Sequence, residues 1–381
     1  MTDILIKNAV VVDRPDSNLE RKTNLYIKDG IIQSISPTLE ESITSDVIDV
    51  DGRYVSPGLI DMHTHITVPG ITKIKGHEFG IDVQKFGVET GVSTIIDAGT
   101  FGADTITPAM EFTQDKDTTV LFLLNAAKTG LVPMKPELEP MENIDIEAAR
   151  SAYKRFGSRI VGIKARASAS ASGKSGIRAI RKAKKLAYEL DLPIVVHIGH
   201  EPPLIKDILA LLTEGDIITH CFHGKLSNAI VNKDYELREE TLAARERGVL
   251  FDIGHGSESF NFFVAKNLFK IGFLPDIIST DLYALNSNGP VFSLPATIDK
   301  FIKLNNSILP WINMVTTAPR KAFHLSESGE LAVGQKADLV VFSTVLTEMK
   351  YEDSDGNPIP ITKKLKMELL IKGRNRIPIE K

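Results

Sequence analysis

A (β/α)8 TIM barrel carrying a small discontinuous β-sandwich is the fold class predicted by three features of the sequence. Between residues 55 and 324, eight β-rich runs alternate with helical patterns, the rhythm that a closed parallel barrel requires. The flanking segments, 1–54 and 325–381, are β-rich and each too short to bury a core alone, so they pair best with one another. Neither a GxGxxG turn nor a Walker pattern follows the first barrel run, which sets aside an open doubly wound sheet.

Residues 3 to 54 contain ILIKNAVVVD, NLYIKDGIIQSI and DVIDVDGRYV, with Asp29-Gly30 and Asp51-Gly52 as hairpin signals. The barrel runs follow: VSPGLIDMHTHI, GVSTIIDAGT, TTVLFLLNAA, RIVGIKARAS, LPIVVHIGH, DIITHCFHG, GVLFDIGHG and PDIISTDLY. Between them, IEAARSAYKRF and IRAIRKAKKLAYEL have the spacing of amphipathic helices. The small residues of ASASASGKSG, after the fourth run, predict a mobile loop. After residue 324, LAVGQKADLVVF and KMELLIKG restore β character on either side of the turn-rich YEDSDGNPIP.

The apolar fraction of 43% and charged fraction of 25% are those of an ordinary globular protein. Net charge is −4 with dispersed Lys and Arg, which argues against a nucleic-acid partner. No run approaches the ~18 apolar residues of a membrane span. Asp3, Lys7 and Asn8 interrupt the first apolar stretch, unlike the core of a secretory signal. A lone Cys221 precludes an internal disulfide and fits a reducing compartment, so a cytoplasmic location is expected.

In such a barrel the chemistry sits at the C-terminal ends of the strands. The first run ends in His63 and His65, the fourth in Lys164 and Arg166, the fifth in His197, the sixth in His220 and the eighth in Asp281. Strand alternation turns His63 and His65 to one face. Alone, that pair is equally two polar residues at a strand end. Four histidines and an aspartate at converging ends instead predict a metal site, and without thiolates it is not a closed structural zinc.

This set resembles the amidohydrolase superfamily in its binuclear form, and PGLIDMHTH, TTAPRKAFHL and GELAVGQKADLVVF are similar to that superfamily's run from barrel to C-terminal β segment. IKARAS, THCFHG and FDIGHG resemble a deacetylase-like branch with dihydroorotase and adenine deaminase relatives. The resemblance implies two divalent ions, zinc by expectation: one on His63, His65 and Asp281, the other on His197 and His220. Lys164 would bridge them as a CO2-derived carboxylate, the bland alternative being a buried ion pair with Asp97. Asp281 would also be the catalytic acid–base for a metal-bridging hydroxide that opens an amide or ester bond.

Arg166, His255 and His223 are the expected substrate contacts, with a rim salt bridge the alternative for Arg166. Asp61 is either a carboxylate that orients a ligating imidazole or a buried structural group. His77 is placed at the mouth of the site, His200 is read as a loop residue and His324 as structural. Cys221 is read as a small core residue. The expected substrate is a small N-acyl or O-acyl compound or a cyclic amide; whether the chain forms a homo-oligomer is open. A nucleobase deaminase of the adenine type is the alternative, weakened because HIGHE at the fifth strand departs from the HxxE pattern of many such enzymes. A non-catalytic scaffold is the reading of another class, and it would be expected to lack some of the six ligands.

Overall fold

Seven parallel strands form the inner sheet in the computed structural model of the protein, which describes residues 3–379 apart from 15, 45, 75, 132–135, 226, 306, 327 and 328. In chain order they are Leu59–Thr64, Val92–Ala98, Thr119–Asn125, Ile160–Ala167, Ile194–Ile198, Ile217–Thr219 and Leu250–Asp252, each beside the next. The eighth run is not a regular strand. It closes the barrel through single parallel bridges, Asp252 to Ile277 and Thr64 to Leu282. The reason is local: Asp281 has a φ of 49°, and the Thr280 amide turns to the Asp61 carboxylate (3.1 Å), so no ladder can run past them.

The helices follow the expected amphipathic stretches. Ile146–Phe156 starts at Asp145, whose carboxylate accepts from the Ala148 amide at 3.0 Å. Ile177–Glu189 buries Ile180, Ala183 and Leu186 against the barrel. Leu123, Gly162 and Val195 stand two residues before Asn125, Lys164 and His197 and so share their face. A Cβ on Gly162 would come within 2.8 Å of Leu123 and 3.4 Å of Phe323. These side chains make an apolar floor beneath the polar strand ends.

The terminal segments join in one sheet, in the order Asn375–Pro378, Pro358–Lys372, Asp338–Glu352, Tyr54–Pro57, Asp3–Val11, Lys22–Lys28 and Ile31–Ser36, with Val47–Asp49 also beside Asp3–Val11. Ile4, Leu25 and Ile32 from one end cluster with Leu339, Val341 and Ile371 from the other. The sheet therefore curls over to enclose its own small core.

Two further expectations are corrected. VSPGLIDMHTHI is two strands: Tyr54–Pro57 pairs with Asp338–Glu352 in the outer sheet, and only Leu59–Thr64 enters the barrel. Gly58 makes the transfer because a Cβ there would lie 2.1 Å from Asp338 Oδ1 and 2.4 Å from Ser93 Oγ. ASASASGKSG is not an open loop. It holds a short helix, Ala169–Ser172, whose Ala171 carbonyl accepts from the Leu138 amide at 2.9 Å.

Candidate active site

The polar strand ends meet where the sequence puts them. Asp281 Oδ1 lies 3.4 Å from His63 Nε2 and 3.2 Å from His65 Nε2, and its Oδ2 lies 4.0 Å from His220 Nε2. The His220 ring centroid is 5.1 Å from that of His63 and 4.4 Å from that of His197. Lys164 Nζ donates to His63 Nε2 at 2.7 Å. The strand ends alone achieve this, with one addition: His220 and Asp281 both adopt positive φ, 70° and 49°. Such backbone is strained for a non-glycine residue and is characteristic of functional positions.

Hydrogen bonds fix which imidazole nitrogen faces the centre. The single proton of Thr219 Oγ1 goes to Asp252 Oδ2 at 2.6 Å. The Thr219 oxygen must therefore accept from His63 Nδ1–H, 3.1 Å away. His220 Nδ1–H donates to the Gly254 carbonyl at 2.7 Å, and His65 Nδ1 contacts Thr100 Oγ1 at 2.9 Å. The Nε2 lone pairs of His63 and His220 are thus turned inward, the arrangement expected of metal-ligating histidines.

Electrostatics agree with a cation-binding role. Burial keeps His63 and His197 well below the usual imidazole range and takes His220 down to about 3, so all three are neutral donors at pH 7. Burial also lowers Lys164 to about 8, against the pull of Asp281 and Asp252. Burial would raise Asp281, but His63, His65 and His220 hold its carboxyl well below the ordinary value. His220 Nε2 is buried with no hydrogen-bond partner, and His63, His65 and Asp281 offer ligand atoms all within 4.8 Å of one another. A buried lone pair aimed at a carboxylate is costly unless something sits between them. A divalent cation fits that demand and this donor set.

The centre lies in a cavity of about 670 Å³. His77 and His200 line it, as do Arg166, Asn125, Phe79 and Tyr283. Tyr283 stacks on Phe79, ring centroids 5.3 Å apart, and Phe79 in turn contacts His65.

Arg166 lines the cavity and also makes a two-pronged ion pair, Nε and Nη2 donating to buried Glu137 at 2.5 and 2.7 Å. His223 is not brought to the cavity: its Nε2 meets the Asn228 carbonyl and its Nδ1 accepts from the Lys225 amide. His255 turns away too, with Nδ1–H on the Gly256 carbonyl at 2.9 Å and Nε2 accepting from Lys300 Nζ at 2.6 Å. Asp61 touches no imidazole; it accepts from the amide and hydroxyl of Thr280 and from the His63 amide. Asp97 receives the Ile66 and Thr100 amides, and the hydrogen bond of Lys164 goes to His63. Cys221 is a buried thiol, 1% exposed. Asp252 and Thr219 join the expected residues, Asp252 as the end of the seventh strand and Thr219 as the residue before His220. Nothing in the sequence signals Glu137 or Thr100.

A model of the amidohydrolase family matches residues 54–367. The chain belongs to that family. A protein named deacetylase from Enterococcus faecalis is 35% identical over 356 residues, 93% of each chain. Among solved structures, this amidohydrolase resembles an adenine deaminase at TM-score 0.90 and 34% identity, over 99% of this chain and all of that one. It resembles a dihydroorotase at TM-score 0.89 and 31% identity, over 99% and 98% of the two chains. The protein is accordingly a metal-dependent hydrolase of carbon–nitrogen bonds in small molecules. Among its described residues, no helix is long and apolar enough to cross a membrane.

Proposed function

We propose that this amidohydrolase removes the acyl group from a small N-acyl or O-acyl compound that carries a carboxylate. The observation that carries the reading is the convergence of inward Nε2 atoms on Asp281, with His220 Nε2 left unpartnered. His63, His65 and Asp281 would hold one ion, His197 and His220 a second, and Lys164, carrying a CO2-derived carboxylate, would join them; zinc suits the donors. Bound ions of this kind polarise a carbonyl and make water acidic near neutral pH. Asp281 then takes the proton of the attacking water and passes it to the leaving nitrogen or oxygen.

Arg166 lines the cavity with Nε and Nη2 committed to Glu137, which fixes the orientation of the guanidinium plane. Its remaining Nη1 protons suit a substrate carboxylate. Likeness to the Enterococcus faecalis deacetylase supports acyl removal over ring opening. Deamination gains nothing from the fifth strand end, since the cavity wall includes His200 and not Glu201. The lone, buried Cys221 supports a cytoplasmic setting.

The test is metal analysis of the purified protein alongside hydrolysis of N-acyl amino acids, O-acyl hydroxy acids and cyclic ureides, with adenine as the deamination control. About two equivalents of metal and fastest release of an acyl group are expected. Less than about one equivalent, or turnover of adenine alone, overturns the reading.

A further inference from the structure

The long hairpin of the outer sheet, Asp338–Glu352 and Pro358–Lys372, does not end in solvent. Its turn, residues 353–357, is bonded to the segment that follows the seventh barrel strand. Ser354 and Phe260 are joined twice: the Ser354 amide donates to the Phe260 carbonyl at 2.9 Å, and the Phe260 amide donates to Ser354 Oγ at 3.1 Å. Asp353 Oδ2 accepts from the Phe262 amide at 2.9 Å. The Ser354 hydroxyl lies 3.1 Å from the His255 carbonyl and 3.0 Å from the Gly256 carbonyl. From below, buried Lys300 donates to His255 Nε2, to the Pro290 carbonyl and to the Glu352 carbonyl, at 2.6, 2.8 and 2.9 Å.

The segment so held is part of the site. Gly256 passes so close to Asp281 that a Cβ would lie 2.6 Å from Oδ2. The next three residues, Ser257, Glu258 and Ser259, line the cavity, and Ser257 Oγ meets Tyr283 Oη at 2.8 Å. One face of this short stretch touches substrate space, and the opposite face is bonded to a turn about 100 residues further along the chain.

We propose that Ser354, at the tip of the outer hairpin, is a positioning residue for the active-site wall at Gly256–Ser259 and thereby sets substrate affinity. The proposal rests on the amidohydrolase reading above. The hydroxyl has one proton and two carbonyls in reach while accepting the Phe260 amide, so it closes the wall onto the turn whichever carbonyl it serves. Without it, the wall keeps the bond from the Ser354 amide to the Phe260 carbonyl but loses the acceptor of the Phe260 amide and the tie at the His255 or Gly256 carbonyl, and the Ser257–Tyr283 contact loosens. The ligating residues do not touch Ser354, so metal content is untouched. The effect falls on binding because Ser257, Glu258 and Ser259 line the cavity, whereas the Gly256 backbone beside Asp281 keeps its own bond from the Gly256 amide to the Thr280 carbonyl at 2.8 Å.

Ser354→Ala and Ser354→Thr test this, the threonine keeping the hydroxyl on a residue that is only partly buried. With the acyl compound turned over fastest by the wild type, Ser354→Ala should raise KM about 5–10-fold, leave kcat within about twofold and retain full metal content; Ser354→Thr should restore KM. Amide hydrogen exchange provides a readout that needs no substrate. Protection at 256–260 should fall at least about tenfold in Ser354→Ala and be unchanged in the barrel strands. Unchanged exchange at 256–260, or unchanged KM in an active enzyme, overturns the positioning role. A wild type without metal or hydrolysis overturns the functional reading instead, and the exchange arm still decides the role of Ser354.

Discussion

At the scale of single residues, the centre is defined as much by what holds the imidazoles as by the imidazoles themselves. Thr219 donates to Asp252 and so obliges His63 to present Nε2. Thr219→Val should therefore leave the fold intact and weaken metal retention roughly 10–100-fold, whereas Thr219→Ser should retain it. Competition with a chelator measures this, and equal retention in Thr219→Val would remove Thr219 from the metal site. Asp281→Asn should lower kcat by roughly 10²–10⁴-fold, because a carboxamide cannot accept the proton, while much of the metal stays bound. Normal turnover in that variant is incompatible with Asp281 as the proton carrier. The strand-end residues were legible in the sequence because each terminates an apolar run. The roles of Arg166, His223 and His255 were not, because they depend on Glu137, Asn228 and Lys300, which reach them only through the fold.

At the scale of elements, strand order and helix placement follow from apolar periodicity, but the eighth strand does not. PDIISTDLY has a strand-like composition, yet the Thr280 amide goes to the Asp61 carboxylate instead of a carbonyl of the first strand. Nor does composition show that VSPGLIDMHTHI must divide at Gly58, since the constraint is Asp338, far along the chain. Asp61→Ala would leave the buried amides of His63 and Thr280 without their acceptor and the Thr280 hydroxyl with only the His63 carbonyl at 3.3 Å, at a cost of roughly 2–4 kcal/mol. Urea unfolding should show that loss together with reduced activity, because Asp281 adjoins Thr280. A loss under about 0.5 kcal/mol would mean the segment is held by its apolar contacts instead.

At the scale of the whole molecule, the barrel and outer sheet share a buried charge. Asp299, on the helix Leu294–Asn305, accepts from the Leu365 amide of the outer sheet at 2.7 Å. Burial raises its carboxyl to about 7, against about 3.9 in an unfolded chain. Its contribution to stability is therefore complete below about pH 4 and is lost as pH rises through about 7. Adjacent Lys300 behaves oppositely: burial lowers it to about 7, so its contribution is present above about pH 10 and is lost as pH falls through about 7. Asp299→Asn keeps an acceptor for Leu365 and removes the first term. Its stability relative to the wild type should rise by roughly 3–5 kcal/mol between pH 4 and pH 8, read as urea midpoints across that range. A constant difference would show that Asp299 ionises freely.

The barrel closes between its first strand and an eighth segment joined by side chains and one bridge, and the proposed ligands for a single ion, His63, His65 and Asp281, straddle that seam. More than 200 residues of chain separate the two sides. An ion held by all three would need both sides of the seam in place, so its tight capture would report closure of the ring. Such an ion would act as a clasp, stabilising the closed ring more as its free concentration rises above its dissociation constant. Stripping the metal should accordingly hasten proton exchange first at the His65 amide, which bonds Leu282 across the seam at 2.9 Å, before the remaining strands respond.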